Sequence, residues 1–178
     1  MFRLIFGLIL LLIVNQGLSN DILETQQKRF ETLALQLWDY AELGYLEVRS
    51  SNLLKEELKN EGFKIENNLA DIPTAFKAVY GESGPTIGIL GEFDALPGLS
   101  QTNSPFKEQA DNITGAGHAC GHHLFGAGSA WAAVMIKKWL IETKTPGRIV
   151  FFGTPAEEGG SGKVYMAREG AFDNVDIM

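Results

Sequence analysis

The run Arg148-Ile149-Val150-Phe151-Phe152-Gly153 constrains this chain more than any other segment. Consecutive β-branched and aromatic residues without a polar alternation describe a strand buried on both faces. Such a strand needs covering layers on either side, and the rest of the sequence supplies them. Apolar residues recur at helical spacing over residues 21–43 (Phe30, Leu33, Leu37, Tyr40) and again over residues 47–61 (Leu53, Leu54, Leu58). Gly44 and Gly62 follow these segments as helix stops. Strand-like runs occupy residues 63–66, 74–80 and 86–93, the last two divided by Gly81-Glu82-Ser83-Gly84-Pro85. Residues 98–117 are polar and irregular, and a loop of that length tends to carry function. A helix begins near Leu124, runs to about Ile141 and is broken by Thr145-Pro146-Gly147; small residues from Gly126 to Ala130 let it lie close to a sheet. A further helix over residues 164–169 and a strand opening at Val175 complete the series. Helices alternating with buried strands predict an α/β domain around a central, largely parallel sheet flanked by helices.

The first nineteen residues belong to a different kind of segment. Arg3 precedes an apolar run over residues 4–14, followed by Gly17 and Ser19. This order reads as a secretory signal peptide over residues 1–19, with Asn20 as the mature start. A membrane span needs roughly 20 apolar residues. The expectation is therefore export, to a periplasm or the medium, with no stable membrane association after cleavage. A net charge of −7, with no basic stripe, argues against nucleic acid as a partner. Cys120 is the single cysteine, so no intrachain disulfide can form. The last strand opens at Val175 and the sequence ends at Met178, which leads us to expect a fragment of a longer protein.

All three histidines and the cysteine fall within His118-Ala119-Cys120-Gly121-His122-His123. A histidine on its own is usually a surface or satisfied core residue, but such clustering is hard to obtain by chance. Cys120 and His122 are two positions apart, a spacing that cannot place both on one helix face. They are expected in the turn before the helix, where its positive end favours a thiolate at Cys120. Thiolate and imidazole are ligands for zinc or a neighbouring transition metal. Gly153-Thr154-Pro155-Ala156-Glu157-Glu158-Gly159-Gly160 places two carboxylates directly after the buried strand. In open α/β sheets that is where ligand sites lie. One glutamate can bind the metal while the other takes a proton from water. Gly91-Glu92-Phe93-Asp94-Ala95-Leu96-Pro97 ends its own strand in the same acidic way, as a simple turn or as part of the site. Gly159-Gly160-Ser161-Gly162-Lys163 is not a phosphate loop, because Val164 replaces the required hydroxyl residue and the leading glycine is missing.

These motifs, with Trp38-Asp39-Tyr40-Ala41-Glu42-Leu43-Gly44-Tyr45 and Ile72-Pro73-Thr74-Ala75-Phe76, resemble the aminoacylase/carboxypeptidase-type dinuclear metallopeptidases. The resemblance is to the amidohydrolase branch typified by the B subunit of p-aminobenzoyl-glutamate hydrolase. It implies that residues 20–178 form the N-terminal part of a metallopeptidase catalytic domain, without the lid and dimerisation domain. It further implies Cys120, His122 and Glu158 as metal ligands, Glu157 as general base, and Asp94 and His118 as supporting residues. His123 stands where relatives carry various residues and receives no role. A complete site would hold two divalent ions, zinc or manganese, and hydrolyse small-molecule N-acyl or aroyl amino acids or dipeptides. The full-length protein would be a homo- or hetero-oligomer. Three ligands cannot fill two metal sites, so the 178 residues alone are expected to be inactive. Two other readings stand beside this one: a thiol hydrolase with Cys120 as nucleophile, and a secreted metal-binding or degenerate interaction module. Asn112-Ile113-Thr114 also fits a glycosylation acceptor.

Overall fold

The computed structural model describes residues 24–111 and 115–178. The expected signal peptide over residues 1–19 and the candidate glycosylation acceptor at Asn112 lie outside that range. Residues 24–40 are helical (α1). Its first part, up to Thr32, falls in a unit of its own, and there Gln27 donates to Glu31 one turn on at 2.8 Å. The second unit, Leu33–Met178, contains every element discussed below. Among the described residues, no helix is long and apolar enough to cross a membrane.

Helix α2 spans Val48–Asn60. The Glu42 carboxylate starts it by accepting the backbone N–H groups of Arg49 and Ser50 at 3.2 and 2.8 Å. Gly62, at φ 84°, stops it, and the amides of Gly62 and Phe63 return to the carbonyls of Lys59 and Leu58. That pairing satisfies the last carbonyls of the helix. Strands β1 (Lys64–Asn67), β2 (Phe76–Tyr80), β3 (Thr86–Gly91) and β4 (Arg148–Gly153) form one sheet in the order β1-β2-β4-β3. Helix α3 (His122–Thr143) crosses between β3 and β4, and α4 (Glu157–Gly160) and α5 (Gly162–Arg168) follow.

The expectation for β4 holds: Ile149, Val150, Phe151 and Phe152 are all buried. One of its faces joins Ile72, Ala75, Val79 and Met166, and on the other Phe151 stacks on Phe76 with ring centres 5.7 Å apart. The α/β class with flanking helices also holds, but the sheet is mixed rather than largely parallel. β3 and β4 are parallel because a helix carries the chain back between them. β1–β2 and β2–β4 are antiparallel. The short connection at residues 68–75 reverses the chain between β1 and β2 and leaves no room for a helical crossover. Residues 175–178 give only an isolated parallel bridge, Ile177 to Ile87, on the other side of β3. Helix α3 starts at His122, two residues earlier than expected, with Gly121 at φ 83° as its cap. A side chain at Gly126 would lie 2.7 Å from the carbonyl oxygen of Glu92, so the glycine permits α3 to press on the end of β3.

Candidate metal centre

Three chain segments meet at the carboxyl ends of the parallel pair. β3 leads into Glu92 and Asp94, β4 leads into Glu157 and Glu158, and the first turn of α3 brings His122 between them. Asp94 is 1% exposed and organises the group. His122 Nδ1 lies 3.0 Å from both the backbone oxygen and Oδ1 of Asp94. Both are acceptors, so Nδ1 carries a proton and donates. Asp94 Oδ2 accepts the amide of Glu158 at 2.9 Å. Burial pushes the Asp94 carboxyl up, but the His122 bond and the Glu158 amide outweigh it and hold the group below the usual range. Burial likewise pushes the His122 imidazole down, and the Asp94 contacts more than reverse it, so it titrates above an ordinary histidine.

With Nδ1 committed, His122 presents Nε2 to the centre. Nε2 lies 2.9 Å from Glu92 Oε2, 3.8 Å from Glu157 Oε2 and 3.9 Å from Glu158 Oε1. Glu92, His122 and Glu157 offer ligand atoms within 4.8 Å of one another. Glu158 Oε1 is buried with no hydrogen-bond partner. An orphaned buried carboxylate oxygen beside an imidazole nitrogen fits a cation, which would satisfy the oxygen and take the place of the Nε2 proton that Glu92 otherwise accepts. The Cys120 thiol is exposed. Hydrogen bonding toward Glu158, with the charges of Glu158, Glu157 and Asp94 nearby, pushes the thiol up rather than down. The expected thiolate at the helix end is thus not favoured without a cation, because nearby carboxylates overwhelm the helix dipole.

Of the residues singled out from sequence, Asp94, His122, Glu157 and Glu158 come together, with Cys120 at the rim through Glu158. His122 is the first residue of α3 rather than part of the turn before it. His118 stands apart: its Nε2 donates to the Leu37 carbonyl at 2.9 Å. His123 packs edge-on to Trp38 at 4.8 Å between ring centres, and burial pushes it down to about 4. Sequence reasoning gave Glu92 no role of its own, although its position two residues before Asp94 is a signal that both leave the strand on the same side. Glu92 is also the partner of Lys163, the lysine of the rejected phosphate-loop pattern.

An imidazole flanked by carboxylates at the ends of parallel strands is a donor set that suits a divalent cation. Comparison with known proteins agrees. The profile of Peptidase family M20/M25/M40 matches residues 88–178. The B subunit of the p-aminobenzoyl-glutamate hydrolase of Escherichia coli is 41% identical over 157 residues, 88% of this chain and 33% of that protein. The hippurate hydrolase of Campylobacter jejuni is 30% identical over 90% of this chain and 40% of its own length. A dinuclear metal-binding M20 peptidase from Bacillus subtilis superposes with a TM-score of 0.73 at 28% identity, covering 85% of this chain and 42% of that structure. The chain belongs to peptidase family M20/M25/M40. It spans between a third and two fifths of the length of these curated relatives.

Proposed function

We propose that the whole protein is a metal-dependent amidohydrolase that cleaves the amide bond of N-acyl or aroyl amino acids, or of dipeptides. The observation that carries this reading is the presentation of His122 Nε2 to Glu157 and to the orphaned Glu158 Oε1. The names of the two curated relatives, a p-aminobenzoyl-glutamate hydrolase and a hippurate hydrolase, favour an aroyl amide. Cys120, His122 and Glu158 would hold the metal, zinc or manganese, with Glu92 near enough to share the charge. A complete site would hold two ions and needs ligands beyond these. When bound, the metal supplies Lewis acidity and lowers the pKa of water.

The chain's own residues do the rest. Asp94 fixes the His122 tautomer and, through the Glu158 amide, the backbone that carries both glutamates. Glu157, half exposed where Glu158 is mostly covered, is free to take a proton from water and hand it to the departing nitrogen. Lys163 offsets the charge of Glu92. Export, with cleavage after Ser19, and a homo- or hetero-oligomeric assembly complete the proposal. The first rests on the Arg3 and residue 4–14 pattern, and the mass of the mature N-terminus tests it.

Release of the amine from an N-aroyl amino acid is the decisive assay. Chelation abolishes turnover and zinc or manganese restores it, while Glu157→Gln lowers kcat by about 10²–10⁴-fold. Turnover that survives chelation but not thiol alkylation would instead establish Cys120 as a nucleophile. The carboxylates that push the Cys120 thiol up speak against that outcome.

A further inference from the structure

We infer that Glu47 is a positioning residue for the hydrolytic centre: its carboxylate holds the turn from which Glu157 and Glu158 project. Glu47 is fully buried, lies outside the cluster around His122, and has no part in the chemistry above. The inference rests on reading Glu157 and Glu158 as base and ligand, and deepens that reading.

Three independent contacts join residues 44–47 to residues 156–160. Glu47 Oε1 accepts the Ala156 amide at 2.8 Å, and Oε2 accepts the Thr74 hydroxyl at 3.0 Å. The Tyr45 hydroxyl donates to the Gly160 carbonyl at 2.6 Å. Gly44 approaches so closely that a side chain there would lie 2.9 Å from Ala156 Cα. Ala156 itself is buried at φ 55°, a left-handed conformation that alanine resists and keeps only where its surroundings dictate it. The residue in that conformation immediately precedes Glu157. Two buried carboxylates therefore grip alternate amides of one turn, Glu47 at Ala156 and Asp94 at Glu158. Asp94 ties the turn to His122, whereas Glu47 ties it to the start of α2 and to Thr74. Glu47 occupies the cap position of α2, yet its side chain makes no bond to that helix, whose first amides go to Glu42. Its reach is spent on the turn.

A role of this kind depends on reach and hydrogen-bond geometry rather than on charge, which makes it separable. Glu47→Gln keeps the length: its oxygen accepts the Ala156 amide and its amide donates to the Thr74 hydroxyl. Glu47→Asp keeps the charge but is shorter by about 1.5 Å, too short to hold both partners. Hydrogen exchange of the full chain is the test, with the amides of Val150, Phe151 and Phe152 in β4 as internal reference. The expected result for Glu47→Asp is exchange about tenfold faster or more at Ala156 and Glu158, with β4 unchanged. Glu47→Gln is expected within about threefold of the native protein at the same amides. Equal exchange in all three proteins, Gln exchanging as fast as Asp, or a rise shared by β4 would each overturn the proposal.

Titration with Co²⁺, followed by absorption, then ties the turn to the centre. Glu47→Asp binds Co²⁺ about tenfold more weakly than the native protein and Glu47→Gln binds it equally. Equal binding by native and Asp variant removes the link to the centre. Failure of the native protein to bind Co²⁺ would strike the metal reading itself, while the exchange result still decides whether Glu47 holds the turn.

Discussion

The two halves of the candidate centre are built differently. On one side Asp94 is buried, uses its backbone oxygen and both carboxylate oxygens, and fixes both an imidazole and a backbone amide. On the other side Cys120 sits exposed in a turn, near the carboxylates of Glu158 and Glu157, which push its thiol up. The first half is pre-organised, so little ordering remains for a cation to impose. The second half must give up a proton before sulfur can coordinate. The buried half is therefore expected to set where a cation sits, and the exposed half how tightly and how softly it is held.

His122→Ala attacks the buried half directly and carries the largest expected effect. Zn²⁺ or Co²⁺ affinity, read by titration, falls by more than the roughly 10–100-fold that follows loss of a supporting partner. An unchanged affinity would mean that the cation does not sit between the strand ends.

Acid tests the burial around the same helix turn. His123 titrates near 4 in the folded chain and near 6.5 when unfolded. Between those values the unfolded chain binds more protons, so the contribution is complete above pH 6.5 and is lost as pH falls toward 4. The loss is on the order of 2–3 kcal/mol at most, read as the difference in denaturant stability between pH 7 and pH 4. His118 is depressed and adds to it, while His122 is raised and works in the opposite sense. His123→Gln isolates the contribution, and a slope that this variant leaves unaltered would show the ring to be more hydrated than its packing on Trp38 suggests.

Cys120→Ser should change stability least. An exposed turn position outside the core shifts unfolding by no more than about 0.5 kcal/mol. The same variant removes the thiolate–Co²⁺ charge-transfer absorption while leaving binding through His122 measurable. A protein that loses all Co²⁺ affinity with Cys120 would erase the distinction between the halves.

Much of this was legible in the sequence. The buried character of β4 followed from its unbroken apolar run, and the acidic strand ends and the histidine cluster pointed to one place. The strand directions were not legible, because apolar runs record burial and not which neighbour a strand pairs with. Glu47 was hidden for a related reason. The helix was expected to begin at Glu47 itself, and only the folded backbone shows that side chain turned inward to a residue 109 positions away. Glu92 was visible but given no task, since its closeness to His122 depends on the early start of α3 that Gly121 and Asp94 impose. Gly44 was read as a helix stop, whereas its tighter constraint is the contact with Ala156.

The outermost strand of the sheet, β1, also bears on how the molecule meets its own copies. It is four residues long and its side chains are largely exposed, among them Lys64 and Glu66. An unpaired strand edge is a template on which another polypeptide can extend the ladder, and shortness and charge are what blunt it. A newcomer aligning there would gain few backbone bonds while burying a lysine and a glutamate against its own strand. Growth of the sheet from one molecule to the next is discouraged on that flank.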